Sequence, residues 1–492
     1  MAKSGAVRAR SIGVTGSKKT GAKASTINAW QDDPEGLPSI SRPVPKLATP
    51  PLKYKFKGKA PKAGAYAPGT SQFRYWTAAE ALRRGADFWA PRLGVSRWQP
   101  GATLSVGLDE GDDLNAYYDR SELAFFHHQG DDGTVFYSGE SPDVVCHEMG
   151  HACLDAHQPN LWDAPYIEAG SFHESFGDMS AILSALQLPS VRTKVLSSVK
   201  SYRASSLSRV AEQLGTALRQ IDPSIVDPDC LRNAWNKFTY VDPNSLPDDA
   251  PASKLCAEVH SFSRVFTGAF YEILSGMLEI QSKSPTESDL AAIAADVALL
   301  LIDATGAAPI QPNYYAQVAA HMIDSDTKRF SGKYRSALVD TFVSRKIIPK
   351  NAVTSLNQSS KKTAKSVVGV ALAEDKAMVT TQTHHVEVRD KRLGLGKQAL
   401  IVAAPYQHRS FLAISASITH DAIDPTNRLT EATQRFVGML LKHDRIDTGT
   451  RKHALRNADA TSHIERQKTH VVVKDGSNFK LIRRKFACSA QS

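Results

Sequence analysis

The sequence predicts an α+β protein, and two contrasting patterns indicate this class. Residues 102–108 alternate apolar and polar side chains as a strand does, and residues 122–137 are typical of two more strands joined by a turn. Residues 190–350 instead carry apolar side chains at helical spacing in four segments, which are Leu207–Ile221, Val259–Leu278, Glu287–Ala304 and Asn313–Ser325. At 492 residues the chain is too long for one hydrophobic core, so several domains are expected.

Residues 1–62 are predicted to form a basic, disordered tail. They contain thirteen Lys or Arg residues against three acids, a net charge of +10 that equals the formal charge of the whole chain. The segment is rich in Gly, Ser, Ala and Pro and offers little apolar surface to bury, so we expect it to be disordered or extended. It could bind an anionic partner or secretion machinery, or be a solvated tail without a partner. Nucleic acid is an alternative partner that we do not favour.

Neither a secretory signal nor a membrane span is predicted. The basic N-terminal residues are not followed by the apolar core of a signal peptide, and no apolar run of about 18 residues stands out. We therefore expect a chain that stays in the cytoplasm or leaves it by a non-classical route.

The cysteines are five in number, odd and widely spread: Cys146, Cys153, Cys230, Cys256 and Cys488. The first two are seven residues apart on one predicted helix, a rise of about 10.5 Å that exceeds the reach of a disulfide. We expect the cysteines to be small buried side chains.

Residues 65–140 are predicted to form the substrate-side half of a cleft, with a helix at Thr77–Ala90 and a hairpin whose turn is Gly130–Gly133. His127 and His128 lie near two aspartates in this stretch and could be read as a metal site. A hairpin with a polar turn explains them better.

A helix is predicted from Pro142 to Gln158, because Ser141 suits the N-cap, proline suits the first helical position, and Pro159 ends the pattern. Within it, His147 and His151 are four residues apart, so their rings share one face and can bind one Zn²⁺.

Glu148 points about 100° around the same helix from His147. There its carboxylate can take a proton from a water bound to the zinc, as a general base does. The alternative is a surface or core helix with two unrelated histidines.

A second helical pattern over residues 171–183 supplies a third ligand. Glu174 and Asp178 are four residues apart on one face. Two histidines and one glutamate, with the fourth position open for water, form a catalytic and not a structural zinc site. Asp178 would accept a hydrogen bond from the other ring nitrogen of His147 and fix its tautomer. The alternative is a capping box of Ser171 with Glu174.

These motifs resemble the thermolysin family of zinc metallopeptidases. The likeness is carried by residues 143–152, DVVCHEMGHA, and by residues 170–178, and it covers about residues 65–350. It implies a gluzincin-type HExxH site in which His147, His151 and Glu174 bind one zinc ion and Glu148 is the base. It also implies a two-lobed fold, with a β-rich N-lobe at 63–160, a helical C-lobe at 161–354, and the zinc helix at the cleft.

Further matches imply how a peptide would be held. Asn115-Ala116-Tyr-Tyr resembles the edge strand with which the family binds peptide backbone, through the side chain of Asn115 and the main chain of Ala116. His260 resembles the family's transition-state histidine, and Arg232 the arginine that bonds the substrate carbonyl beyond the scissile bond.

By the same resemblance, Val144 and Leu231 help to line a pocket for the residue after the scissile bond. The implied activity is that of a zinc metalloendopeptidase, which cleaves internal peptide bonds before apolar residues. The alternative is a zinc-binding module or effector of the same fold with weakened catalysis.

The sequence departs from the family at three places. Tyr166 is the best counterpart of the oxyanion tyrosine, but it stands one residue too near Glu174, so Trp162 or a water could serve instead. Leu255 stands where an acid normally supports the transition-state histidine, which leaves Glu258 or Asp249 as substitutes.

The third departure concerns calcium. Only Asp143 of the family's calcium ligands is kept, Ala185 replaces a glutamate, and residues 187–199 contain no acid. We therefore expect no calcium site of the family's kind.

Residues 355–366 are polar and predicted to be a linker. Short β-rich runs follow at 366–372, 385–388, 399–403 and 470–473, so residues 367–492 are predicted to form an appended α+β domain. Its function is not indicated by any motif.

Overall fold

The computed structural model describes residues 26–34, 37–130, 132–197, 205–352, 381–407, 425–449 and 467–488. This part of the chain is a mixed α+β fold, as the sequence predicts, with ten α-helices and sixteen strands. The arrangement in two lobes and the division into domains stay predictions.

The strands up to residue 137 are β1 (Thr26–Ala29), β2 (Ile40–Pro43), β3 (Lys53–Phe56), β4 (Thr103–Gly107), β5 (Ala116–Tyr118), β6 (Glu122–Phe125), β7 (His127–Gln129) and β8 (Val135–Tyr137). The later strands are β9 (Arg209–Val210), β10 (Arg232–Asn233), β11 (Thr381–Val388), β12 (Leu400–Gln407), β13 (Ile446–Asp447), β14 (His470–Asp475), β15 (Asn478–Arg483) and β16 (Phe486–Ala487).

The helices are α1 (Ser71–Leu93), α2 (Pro142–His157), α3 (Ile167–Ala185), α4 (Pro189–Ser197), α5 (Glu212–Ile221), α6 (Val259–Gln281), α7 (Glu287–Ala307), α8 (Tyr314–Phe330), α9 (Arg335–Ser344) and α10 (Pro425–Lys442). The predicted segment at 207–221 is helical only from Glu212, because β9 occupies residues 209–210 and pairs with β10.

One five-stranded sheet lies beside the candidate site, with the order β16-β5-β6-β4-β3. Strand β5 pairs with β6 on one side, and its other side pairs with β16, which comes from a distant part of the sequence. The predicted hairpin is confirmed as β7 and β8, although residue 131 of its turn lies outside the described residues. His127 and His128 each contact an aspartate there, Asp109 and Asp112, instead of a shared metal position.

The prediction of a disordered tail through residue 62 is wrong for the described residues from 26 onwards. Strands β1 and β2 pair with each other, and Ile27, Ala29 and Leu52 are fully buried. The backbone N–H of Trp30 donates to Oγ1 of Thr77 at 2.8 Å. Composition failed as a guide here because a few apolar side chains at alternate positions suffice to dock short strands on a large core. Residues 1–25, with six of the thirteen basic residues of the predicted anionic-partner site, lie outside the described residues.

Helix α2 begins as the sequence predicts. The hydroxyl of Ser141 caps it by accepting from the backbone N–H of Val144 at 3.3 Å, and Pro142 is its first residue. Helix α3 begins earlier than predicted, at Ile167, with Tyr166 as its N-cap residue. Ser171 is therefore inside the helix, and the alternative capping box with Glu174 is wrong.

Helix α7 corrects the expectation that no apolar run could span a membrane. By length and composition this helix could cross one, with a mean hydropathy of 1.8 in its most apolar window. Yet 56% of that window is buried, and α7 packs against α6 and α8. Burial inside the protein accounts for its apolar composition.

Beyond residue 380, a second five-stranded sheet has the order β11-β12-β15-β14-β13, and α10 packs on β11 and β12. The predicted strands at 385–388, 399–403 and 470–473 are confirmed within β11, β12 and β14, whereas 366–372 lies outside the described residues. This sheet docks on the rest of the chain through Gln407, whose backbone N–H donates to the carbonyl of Ile310 at 3.2 Å. Arg435 also binds the carbonyl of Leu246 at 2.7 Å.

Candidate metal site and cleft

Two glycines allow α2 and α3 to cross in close contact. A Cβ added to Gly150 would lie 2.9 Å from the Cα of Gly177, and one added to Gly177 would lie 2.5 to 2.7 Å from ring atoms of His147. Real Cβ atoms do not approach so closely, so only glycine fits either position. The crossing brings the histidines of α2 against the carboxylates of α3.

His147, His151 and Glu174 converge at this crossing and are at most 2% exposed. Nε2 of His147 lies 3.3 Å from Oε2 of Glu174, and Nε2 of His151 lies 3.7 Å from Oε1 of the same carboxylate. The two imidazole rings stand nearly perpendicular, with centroids 4.8 Å apart. The predicted spacing therefore places two neutral-nitrogen donors and one carboxylate around one point.

Asp178 lies where the sequence predicts, with Oδ1 3.0 Å from Nδ1 of His147. It also pairs with Arg232, whose Nη2 lies 2.7 Å from Oδ1 and whose Nε donates to Oδ2 at 3.1 Å. Thr267 donates to Oδ2 at 3.3 Å. Burial would raise the pKa of Asp178, but Arg232 and His147 outweigh it and hold that pKa well below its usual range. The carboxylate thus stays ionised and can fix the ring of His147.

The cluster fits a metal ion. Ligand atoms of His147, Glu148 and His151 lie within 4.8 Å of one another. Glu148 is fully buried, and neither of its oxygens, nor either ring nitrogen of His151, makes a hydrogen bond with a described residue. Buried polar atoms without partners are costly, and a cation held by two imidazoles and a carboxylate would bind one ring nitrogen of His151 and bring positive charge beside Glu148.

His260 joins the site from the first turn of α6. Its Nε2 lies 3.3 Å from Oε2 of Glu174, and its Nδ1 lies 2.6 Å from Oε1 of Glu258. Burial lowers the pKa of His260, but Glu174 and Glu258 outweigh it and raise that pKa well above its usual value. Of the two substitutes that the sequence offered, Glu258 contacts the histidine, whereas Asp249 pairs with Lys442 at 3.3 Å.

The predicted substrate residues lie in two recesses beside these groups. Leu231 and Arg232 line a cavity with His260, in which Ala252 and Val226 are further apolar neighbours. Asn115 and Val144 line a separate recess, so the two predicted pocket residues, Val144 and Leu231, do not share one. Asn115 is fully buried, and its amide oxygen and nitrogen have no hydrogen-bond partner among the described residues.

Tyr166 is not brought into the site, contrary to the expectation. Its hydroxyl donates to the carbonyl of Pro405 in β12 at 2.9 Å, and its side chain is buried. The sequence could not indicate this contact because the acceptor lies 239 residues away. Trp162, the other suggestion, is 2% exposed and packs edge-on against Phe486 with ring centroids 5.2 Å apart.

Residues 486–488 are part of the site, and sequence reasoning missed them. Phe486 stacks on the ring of His151 with centroids 4.9 Å apart and on that of His173 at 4.1 Å. Cys488 is 5% exposed, and its sulfur lies within 4.8 Å of the ligand atoms of His147 and Glu174. Burial raises the pKa of this thiol, but His147 and the other imidazoles outweigh it and hold that pKa well below its usual range.

The expectation for the cysteines is confirmed in part. All five are buried and free, so no disulfide forms. Cys488, however, is surrounded by imidazoles and carboxylates and not by apolar side chains alone. An odd cysteine in a basic segment is too weak a signal to find this from sequence.

A second carboxylate cluster lies at the start of α2. Asp33, Asp143 and Glu212 are buried, with ligand oxygens within 4.8 Å of one another. Asp33 accepts from Ser141 and from the backbone of Gln213, at 2.6 and 2.9 Å. The lack of acids at 187–199 therefore does not by itself exclude a cation beside Asp143, because Asp33 and Glu212 place their carboxylates next to it.

Comparison with known proteins adds little. No protein-family model matches the sequence, and no curated protein does so. Among solved structures, the chain is similar to the precursor of protealysin, a metalloproteinase from Serratia proteamaculans, at 16% identity and a TM-score of 0.39. The alignment covers 59% of this chain and 85% of that one. A likeness this distant carries no argument about function.

Proposed function

We propose that this chain is a zinc-dependent endopeptidase of the thermolysin type. One observation carries the proposal: His147 and His151 from α2 meet Glu174 from α3, while the buried carboxylate of Glu148 beside them accepts no hydrogen bond from a described residue. Two imidazoles and one carboxylate form the donor set of catalytic zinc sites, in which the fourth position is left for the reacting oxygen.

A bound Zn²⁺ would supply Lewis acidity, polarising an attacking water and the carbonyl that it attacks. The residues supply the rest. Glu148 accepts the proton of the attacking water and returns it to the leaving amine, for which its unpartnered oxygens are available. Burial raises the pKa of Glu148 well above its usual value, which suits a group that must both take and give a proton.

His260 is placed to stabilise the developing oxyanion. Glu258 binds its Nδ1, so that Nε2 carries a proton toward the side of Glu174 where the other ligands converge. Arg232 is held by Asp178 and lines the adjoining cavity, where its guanidinium can bind a substrate carbonyl.

Substrate backbone would be held by the edge of β5. With β16 displaced from this edge, the main chain of Ala116 would offer hydrogen bonds to an added strand, as would the amide of Asn115, which has no hydrogen-bond partner among the described residues. The cavity at Leu231, with Val226 and Ala252 in its wall, favours a medium or large apolar side chain after the scissile bond.

The test pairs metal content with casein hydrolysis in wild type and Glu148→Gln. We expect one zinc per chain in both proteins and hydrolysis only in wild type, reduced by at least about a thousandfold in the variant. Glu287→Gln changes a glutamate at the start of α7 that contacts Thr193 and Arg192; it serves as the matched control and should cleave like wild type.

Activity of Glu148→Gln close to that of wild type would reject the base assignment. Zinc binding with no casein cleavage in any variant, including one in which β16 no longer covers β5, would instead favour the alternative function of a zinc-binding module.

A further inference from the structure

The edge of β5 is covered by a strand from the chain itself. In β16, Phe486 pairs with Tyr118 and Ala487 with Tyr117 in antiparallel register. The backbone N–H of Cys488 then donates to the carbonyl of Ala116 at 2.9 Å. Residues 486–488 therefore make the main-chain contacts that an extended peptide would make when it adds to this edge.

The same segment is anchored by its side chains. The ring of Phe486 packs on the rings of both His151 and His173, and the guanidinium of Arg483 lies 4.2 Å from its centroid. Arg483 also donates to the carbonyl of Trp162 at 2.8 Å. These contacts fix the position at which the next residues cross the cleft.

The strand ends with a thiol among the candidate ligands. Sγ of Cys488, a nitrogen of His147 and an oxygen of Glu174 lie within 4.8 Å of one another. His151 and Glu148 are fully buried and make no hydrogen bond with a described residue, and their ligand atoms lie within 4.8 Å of a ring nitrogen of the same His147. Zinc bound by two imidazoles, one carboxylate and one thiolate would be four-coordinate and closed, with no position for a reacting water.

Resting on the proposed function, we propose that residues 486–488 keep the enzyme inactive. They occupy the place of a substrate strand on the edge of β5, and Cys488 is the fourth ligand of the metal. Displacing or removing the segment opens the fourth coordination position of the metal and at the same time frees the edge of β5. Activity then scales with the fraction of molecules in which the segment has left.

The first test uses full-length chain loaded with Co²⁺, because thiolate coordination gives a charge-transfer absorption band in the near ultraviolet. We expect the band in wild type and in Cys153→Ala, which removes a buried thiol elsewhere on α2. We expect Cys488→Ser to keep one metal per chain and lose the band. A metal-loaded wild type without the band, or an equal band in Cys488→Ser, would overturn the proposal.

The second test measures alkylation of Cys488 by iodoacetamide, followed by mass spectrometry. The thiol should be protected in zinc-loaded wild type and should react at least about tenfold faster in Phe486→Ala, which keeps the ligand but loses the stacking. Equal rates in both proteins would contradict the anchoring role.

Casein hydrolysis separates the two proposals. With zinc bound, Cys488→Ser should cleave roughly tenfold faster than wild type or more, since the open fraction rises. If wild type is already fully active with an open metal position, the latency proposal fails and the peptidase proposal stands. If the double variant Phe486→Ala/Cys488→Ser, which also loses the anchor of the strand, binds zinc without the thiolate and still cleaves nothing, the peptidase proposal fails.

Discussion

Oε1 of Glu258 lies 2.6 Å from Nδ1 of His260, and Oε2 of the same carboxylate accepts from the backbone N–H groups of His260 and Ser261 at 2.8 and 3.0 Å. Glu258 is the N-cap residue of α6. One side chain therefore starts the helix and orients the imidazole at its first turn. Glu258 is thus the partner of His260 in this chain, which has Leu255 at the position where the resemblance predicts an acid.

We expect Glu258→Gln to lower kcat by roughly 10- to 100-fold, as loss of a partner that orients a site histidine does elsewhere. The amide oxygen of glutamine can still cap α6, so the melting temperature should change little. Zinc content should be unchanged, because Glu258 is not one of the three proposed ligands. Steady-state kinetics and metal analysis on the same preparation check this.

Asp249→Asn is the matched control, since Asp249 was the other acid that the sequence offered and it pairs with Lys442 near the surface. Its kcat should stay within about twofold of wild type, as exposed ion pairs contribute little. A large loss in Asp249→Asn with none in Glu258→Gln would show that the histidine has a different partner.

Gly177→Ala should weaken metal binding. The new Cβ would lie 2.5 to 2.7 Å from the ring of His147, which cannot move without leaving Asp178 and Glu174. We expect at least about a tenfold loss of zinc affinity, measured by competition with a chelator, and a lower melting temperature.

Gly438→Ala provides the comparison, because Gly438 is also helical, in α10, and a Cβ there meets nothing within 4 Å. This substitution should leave zinc affinity unchanged and raise stability by about 0.4–1 kcal/mol. Similar zinc affinity in the two variants would show that α2 and α3 can separate to accept a methyl group.

Tyr166→Phe should leave kcat within about twofold of wild type, because the hydroxyl is bound to Pro405 and not to a group of the site. The variant leaves a buried carbonyl without its donor, which should cost about 1–2 kcal/mol in the free energy of unfolding. Kinetics and denaturant unfolding measure the two effects. A hundredfold loss of kcat with unchanged stability would return Tyr166 to the role that its sequence position suggested.

Helix α2 could be predicted because its information is local. The cap at Ser141, the spacing of His147 and His151, and the stop at Pro159 all lie within one short stretch. Glu174 and Asp178 follow on the next helix, so their position relative to His147 depends on one short connection. Local periodicity is the part of a fold that a single sequence states most directly.

The rest depends on contacts between distant residues. The hydroxyl of Tyr166 meets Pro405, and the backbone of Cys488 meets Ala116. No periodicity or spacing encodes either pairing, because the free energy of docking comes from surfaces assembled by the whole fold. The docking of residues 26–62 was missed for the same reason, since composition averages over the few apolar side chains that are buried.

Glu168 gives the fold a built-in dependence on pH. It is fully buried in the first turn of α3, where it accepts from the hydroxyl of Tyr240 and the backbone N–H of Tyr315, both at 2.8 Å. Burial raises the pKa of Glu168 to about 8, against the hydrogen bonds from Tyr315 and Tyr240. Among charged neighbours, Asp242 raises that pKa further and Arg428 lowers it.

The folded protein binds the proton of Glu168 more tightly than the unfolded chain, in which the carboxyl has a pKa near 4.5. The contribution of this proton to the free energy of unfolding is therefore complete below pH 4.5 and is lost as pH rises toward 8. The loss is at most about 1.4 kcal/mol per pH unit within this window. In Glu168→Gln, which mimics the protonated form, the decline of unfolding free energy from pH 6 to 9 should be shallower. Asp32 and Glu212, whose pKa values burial also raises, titrate in both proteins, so the difference between the two curves isolates Glu168. Parallel curves in urea unfolding would mean that Glu168 is already ionised in the fold, with Arg428 and the two tyrosine contacts sufficient to hold its charge.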